Sequence, residues 1–239
     1  NNALTISTVS KDGVVNHTES QGPTYINGEV SGPDAKAGDP VLVTVNGNAF
    51  TGEVVADAAG KLHYHVAVDS SVLNEGDNNV EVAIASKDAA GNDAVATEHR
   101  NVVLDTHAHA NISIDRVTKD NVLNHSELDS PKHAITGQVG EDARIGDKVT
   151  LEINGHRFTG EVVDQGNGTL GYSIDVDSRA FSNNQGEIDS DVNVHATVTS
   201  HDAAGNVVTA YTDHTVHIDN HANNALTIST VSKDGVVNH

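Results

Sequence analysis

The sequence contains no cysteine, no methionine and no tryptophan, and only three phenylalanines and four tyrosines. Without cysteine there is neither a disulfide framework nor a thiolate metal site, so a small domain needing support beyond its core must find it elsewhere. The shortage of aromatics leaves the core to Val, Ile, Leu and Ala, and the lack of tryptophan weakens a glycan-binding reading. Basic residues are scarce too: 13 Lys and Arg face 34 Asp and Glu, a formal charge of −21. That field argues against nucleic acid or an anionic membrane as partner and makes cations the natural one. No apolar run is long enough for a membrane span and no stretch resembles a signal peptide, so membrane insertion is not expected. With no initiating Met, the chain is expected to be a piece of something longer.

What the sequence does have is repetition. Asn1 to His17, NNALTISTVSKDGVVNH, recurs without change at Asn223 to His239, and a diverged copy runs from Ile112 to His125. Asp12 and Asp120, like Phe50 and Phe158, are offset by 108, whereas Asp88 and Asp202, like Asp105 and Asp219, are offset by 114. The second copy therefore carries six extra residues, placed near 178–190. The domains expected are a first repeat over 1–107, a second over 108–221 and the opening of a truncated third over 222–239.

Within each copy the apolar residues alternate. Leu62, Tyr64, Val66 and Val68 read as one strand, Val80, Val82 and Ile84 as part of another. Asn46-Gly47 and Asn154-Gly155 stand between apolar runs, a strong hairpin signal. Phe50 and Phe158, following these hairpins, are expected as core anchors. No segment keeps a helical period. About seven strands per hundred residues, with turn signals at short intervals, predict an all-β fold of two tandem immunoglobulin-like seven-strand β-sandwiches in a linear array.

Four stretches, in the same order in both copies, carry a resemblance. They are Val103 to Ala108 closing the first repeat, the Lys-Asp-Xaa-Val-Val/Leu-Asn-His-Xaa-Glu loop, the Asn-Gly hairpin leading into Phe-Thr-Gly-Glu-Val, and Asp-Ala-Ala-Gly-Asn before the last strand. On these the chain resembles the bacterial immunoglobulin-like extender repeats of large type I-secreted RTX adhesins and biofilm-associated proteins. The resemblance implies a calcium-stiffened spacer at the bacterial cell surface that projects an adhesive region for cell adhesion and biofilm formation. Its partners would be neighbouring repeats of the same chain, in a monomeric, extended array. Where such repeats close with Asp-Thr-Thr-Ala-Pro, this chain has Asp105-Thr106-His107-Ala108-His109 and Asp219-Asn220-His221-Ala222-Asn223, with no stiffening proline.

The residues argue for calcium independently. In a seven-strand sandwich the loop after the first strand lies at the exit end, and the loops after the second and sixth lie at the entry end. A junction thus gathers Asp12, Asn16, Glu19 and Asp105 from one repeat with Asp142 and Asp202 from the next. Asp120, Asn124, Glu127 and Asp219 are their equivalents at the second junction, and Asp34 and Asp88 stand at the unpaired first end. Calcium takes roughly six to eight oxygens from carboxylates, amides and carbonyls, which such loops can supply. The plainer reading of each acid singly is turn chemistry at a solvated loop.

The 15 histidines invite a zinc or pH-switch account, above all His63 with His65 and His107 with His109. A closed zinc site needs about four ligands, and solvent-facing strand and linker positions explain these residues better. Catalysis is not expected: there is no nucleophile elbow, no His-Glu-Xaa-Xaa-His and no phosphate-binding glycine loop. The competing functional reading is a module that itself binds a receptor or glycan, through the insertion around Phe181 or the histidine-bearing strand faces.

Overall fold

The computed structural model describes residues 2–182 and 189–219. Most of the insertion (183–188) and the whole of the expected third repeat (222–239) lie outside the described residues. All the rest is strand and turn, apart from 3-10 turns and one four-residue helix, α1 (His125–Leu128).

The first repeat contains β1 (Ala3–Leu4), β2 (Val14–Asn16), β3 (Thr24–Ser31), β4 (Pro40–Val45), β5 (Asn48–Glu53), β6 (Val55–Ala56), β7 (Leu62–Val68), β8 (Gly76–Lys87) and β9 (Asp93–Asp105). The second repeats the order with β10 (Ala110–Ile112), β11 (Val122–Asn124), β12 (Lys132–Glu141), β13 (Lys148–Ile153), β14 (His156–Glu161), β15 (Val163–Asp164), β16 (Leu170–Asp177), β17 (Asp189–His201) and β18 (Val207–Asp219). The first set forms a four-stranded sheet, β1-β3-β7-β6, and a five-stranded sheet, β2-β9-β8-β4-β5. The second forms β10-β12-β16-β15 and β11-β18-β17-β13-β14.

The seven strands expected per repeat are nine here, because two elements divide between the sheets. The stretch Ser10 to Gly22 contains β2. Its Val15 is buried and pairs, in parallel, with Leu104 of β9. Ser10 and Gly13, both at positive φ, let the chain turn into it. The return strand of the Asn46-Gly47 hairpin breaks at Val54. Residues of β5 pair with β4, Val54 drops into the core at 1% exposure, and Val55 pairs with His63 in the other sheet. Val162 does the same between β14 and β15. One apolar side chain turned inward is enough to carry the chain from sheet to sheet.

The alternating runs bury as their period dictates. Tyr64, Val66 and Val68 of β7 and Val80, Val82 and Ile84 of β8 all join the first core. The Asn46-Gly47 and Asn154-Gly155 turns have positive φ at both residues, the geometry that matches strand twist in a two-residue hairpin. Phe50 is half-buried and packs against the first core.

A buried tyrosine ties β7 to the segment after β1: the Tyr64 hydroxyl donates to the Thr5 carbonyl at 2.7 Å, and Tyr172 donates to Ser113 at 2.8 Å. Burial pushes both phenols well above their ordinary ionisation range. A β-carbon on Gly28 would lie 1.7 Å from the Thr5 oxygen, and one on Gly137 would lie 1.9 Å from that of Ser113. Only glycine admits this approach.

By packing, the chain divides into two compact units. Of the described residues, the first takes 2–110 together with two short pieces, 141–144 and 199–210; the second takes 111–140, 145–182, 189–198 and 211–219.

Candidate functional site

The turn after β17 has the sequence Asp202-Ala203-Ala204-Gly205-Asn206, and it belongs to the first unit. Its shape is internal. Asp202 Oδ1 accepts from the Asn206 main-chain N–H at 2.8 Å, and Asp202 Oδ2 accepts from the Asn206 side-chain amide at 2.7 Å. Gly205 takes the positive φ that closes the turn. Asp202 and Asn206 are both buried, at 7% and 6% exposure. Burial by itself raises the Asp202 pKa, but the Asn206 amide and the N–H groups of Asn206, Gly205 and Ala204 outweigh it and hold the carboxyl below its usual range.

Around this turn the first unit gathers the end of β2, the end of β9 and the loop after β2. The Asn206 amide nitrogen also donates to the Asp105 main-chain oxygen at 2.8 Å, and the Asn206 amide oxygen accepts from the His17 N–H at 2.8 Å. Asn16 donates through Nδ2 to the Ala204 carbonyl at 3.0 Å. Asn16 and Asp105 are register partners in the β2–β9 ladder, which is why both reach the same spot.

The loop itself is locked. Asn16 Oδ1 accepts from the Glu19 N–H at 3.0 Å, while Glu19 Oε2 accepts from the Asn16 N–H at 3.1 Å, and Ser10 donates to the other Glu19 oxygen. This reciprocal pairing satisfies main-chain donors that would otherwise be open.

Of the residues expected to bind metal, Asn16, Asp105 and Asp202 meet here through direct hydrogen bonds or the Asn206 bridge, with Glu19 attached through Asn16. Asp12 bonds within its own loop, to the Val14 N–H at 3.0 Å. Asp142, also in the first unit, accepts from the His109 N–H at 2.7 Å. Among the described residues Asp34 bonds only through its main-chain N–H, which donates to Asn2 Oδ1 at 3.2 Å. Asp88 is occupied by its own turn: the Asn92 amide at 2.9 Å and the Asn92 N–H at 2.8 Å hold its carboxyl below the usual range.

In the second unit, Asn124 and Glu127 form a capping box on α1, and Asn124 is in register with Asp219. Asp120 accepts from the Val122 N–H and the Thr118 hydroxyl, which lower its pKa in that order.

One participant, Asn206, was not expected as a site residue, and one buried acid, Asp39, bonds elsewhere in the first unit. Asn206 is the hub of the cluster, and the repeated pentapeptide ending in Asn92 and Asn206 was its only sequence signal. Asp39, buried at 5% exposure, accepts from Ser86 at 2.6 Å and from the Lys36 N–H at 2.9 Å, and nothing in the sequence set it apart. The histidine pairs lie as follows. His65 stacks on Tyr25 with ring centroids 4.4 Å apart, His63 is half-buried, and His107 and His109 are exposed.

Every donor atom that the Asp202 cluster could offer a cation is oxygen, the chemistry calcium selects. Among the described residues no group of three or more His, Asp or Glu is placed to hold a metal ion. An ion at the cluster would therefore draw on two carboxylates, Asp105 and Asp202, and complete its shell with main-chain oxygens, the Asn16 amide and water.

Many solved structures match this chain, and two of them do so at about 30% identity over almost its whole length. One is a Ca2+-stabilized adhesin that helps an Antarctic bacterium reach out and bind ice, 30% identical at a TM-score of 0.70 over 97% of this chain. The other is a 1.5-MDa bacterial ice-binding adhesin described for its host cell surface retention, 31% identical at a TM-score of 0.72 over 92% of this chain. The likeness is to large bacterial adhesins. The chain spans 52% and 65% of these two solved chains. No protein-family model matches the sequence, and no curated protein does. The adhesin-like fold carries no catalytic constellation among its described residues, and both solved neighbours are adhesins.

Proposed function

We propose that the chain is a spacer segment of a large bacterial surface adhesin, built of immunoglobulin-like repeats over 1–107 and 108–221 with a third opening at 222. Calcium fixes the repeats in an extended, extracellular array that holds an adhesive region away from the cell. The observation that carries this reading is the Asp202 turn, seated through Asn206 on His17 and Asp105 and through Ala204 on Asn16, which brings the Asp105 and Asp202 carboxylates to one side-chain amide. A chain charge of −21 makes cation binding favourable there, because neutralising clustered carboxylates relieves repulsion. Asp105 and Asp202 would be the charged ligands, and Asp120, Asn124, Glu127 and Asp219 would form the equivalent set after the second repeat. Similarity to a Ca2+-stabilized adhesin supports the choice of ion. Among the described residues no helix is long and apolar enough to cross a membrane.

Calcium binding selectively to the folded state raises the melting temperature by mass action. X-ray scattering and calorimetry of this chain, with calcium and with chelator, test the reading. The expected result is a longer, stiffer particle and a higher melting temperature with calcium, both lost in Asp202→Ala. Equal dimensions and equal melting in calcium and chelator would sink the reading.

A further inference from the structure

Asn-Gly occurs four times in the chain, at Asn27, Asn46, Asn154 and Asn167. The pair is chemically reactive, because the glycine main-chain nitrogen, with no β-carbon beside it, can attack the asparagine carboxamide carbon when the chain brings the two together. The fold treats the four pairs differently.

Three are restrained. Asn27 and Gly28 lie inside β3, which is flanked by β1 and β7. The Asn27 carbonyl accepts from the Ser7 N–H at 2.7 Å and Gly28 is closely faced by the Thr5 carbonyl, so this stretch of backbone is not free to rotate. Asn46 and Asn154 stand at the hairpins with φ of +48° and +47°. Their amide nitrogens, the atoms that would have to leave, are held by the protein. Asn46 Nδ2 donates to the Val72 carbonyl at 3.0 Å and to Asn78 at 2.6 Å, and Asn154 Nδ2 donates to the Ala180 carbonyl at 2.9 Å.

Asn167 is the reverse case. It is exposed in the turn between β15 and β16, Gln165-Gly166-Asn167-Gly168-Thr169, and its Nδ2 has no partner among the described residues. The Gly168 N–H has no acceptor among them either. Asn167 Oδ1 instead collects two donors, the Thr169 N–H at 3.0 Å and the Thr169 hydroxyl. The flanking glycines, each with φ of +81°, have open space where a β-carbon would be, which leaves the main chain room to turn. The first repeat has Ala59 at the matching position and therefore no counterpart.

We infer that Asn167 is a self-modifying site, an amide that its own turn converts to an acid without enzyme or metal. The Gly168 nitrogen attacks Asn167 Cγ, forming a new C–N bond and placing negative charge on Oδ1, where the Thr169 N–H and hydroxyl stabilise it. The proton of the Gly168 nitrogen passes through water to Nδ2, the Cγ–Nδ2 bond breaks, and ammonia leaves a cyclic succinimide. Water then adds to one of the two ring carbonyls: opening at Cγ gives aspartate, and opening at the main-chain carbonyl gives isoaspartate. Either way a water is consumed, an ammonia is released, and a negative charge is added to a turn whose Gly166 N–H is already bound by Asp164. Only the second repeat acquires that charge, so it marks the age of a chain. The step depends on neither the spacer reading nor calcium.

The full chain, folded, is incubated in metal-free, mildly alkaline buffer and digested at intervals for peptide mass spectrometry. The expected result is conversion at Asn167 about tenfold faster than at Asn27, Asn46 or Asn154. The product should be a mixture of aspartate and isoaspartate, the latter confirmed by enzymatic methylation. Thr169→Ser keeps both donors and should keep the rate. Thr169→Val removes the hydroxyl and should slow conversion about threefold to tenfold, less than the loss of a donor in an enzyme's buried oxyanion hole, because water can replace it here. In urea, where the turn is lost, the two variants should convert alike. Conversion at Asn167 no faster than at the other three, or the same rate in Thr169→Val as in Thr169→Ser, overturns the inference. A difference between those variants that persists in urea also overturns it, since the turn is then not its source.

Discussion

The side-chain amide of Asn206 reaches the main-chain oxygen of Asp105 at 2.8 Å, across a sequence separation of 101 residues. The same side chain closes its own turn on Asp202 and accepts from His17. One neutral residue thus satisfies three partners in a buried position, and each loses its bond if that residue is shortened.

Asn206→Ala should therefore destabilise far more than the same change at the exposed Asn92 of the matching turn. Stranding a buried donor or acceptor costs about 1–3 kcal/mol, whereas exposed substitutions usually stay within about 0.5 kcal/mol. Urea unfolding of Asn206→Ala and Asn92→Ala side by side, with hydrogen exchange at the His17 N–H as the local reporter, checks this. Equal losses in the two variants would contradict it.

Gly28→Ala and Gly137→Ala should be among the most damaging changes in the chain. Each β-carbon would sit within 2 Å of a carbonyl oxygen, at 1.7 Å and 1.9 Å, so the backbone itself must move. We expect a loss of roughly 3 kcal/mol or more, at the top of the overpacking range. Tyr64→Phe, which only removes the donor to Thr5, should lose about 1–2 kcal/mol. Thermal unfolding that ranks Tyr64→Phe above Gly28→Ala would show the close approach to be wrong.

His217 offers a pH readout in the second unit. Its Nδ1 lies 2.9 Å from Asp191 Oδ1, and that hydrogen bond, with the charges of Asp191, Asp189 and Asp219, raises its pKa. A raised histidine pKa stabilises the fold fully below the unfolded value, about 6.5, and the contribution disappears as pH rises through the folded value. NMR titration should place His217 above the ordinary histidine range, and Asp191→Asn should bring it down. The side chain is exposed, so the global melting temperature should barely respond.

The reciprocal lock between Asn124 and Glu127 is open to a cap test. Asn124→Ala removes the side-chain acceptor for the Glu127 N–H and should cost about 1 kcal/mol, while Asn124→Asp keeps it and should cost little. Urea midpoints of the two variants separate these outcomes.

The alternating strands were legible in the sequence because burial follows a period of two. Tyr64, Val66 and Val68 point inward together, and no other assignment hides all three. The register of the two copies was legible too, since the offset of 108 carries Asn16 to Asn124 and the offset of 114 carries Asp105 to Asp219. The passage of the chain between sheets at Val54 and Val162 was not, because one inward valine looks the same in a continuous strand. Asn206 escaped for a different reason. A turn asparagine is ordinarily explained by its own turn, and its two other partners lie 101 and 189 residues away in sequence. The reading of acids as ligands passed over the neutral amide that joins them.

The first and last long-range partners in the five-stranded sheet, β2 and β9, run parallel, with Val14, Val15 and Asn16 opposite Val103, Leu104 and Asp105. Tension applied at the two ends of such a repeat runs along both strands in opposite senses. The ladder bonds then carry the load side by side in shear and must fail together, whereas an antiparallel terminal pair would unzip one bond at a time.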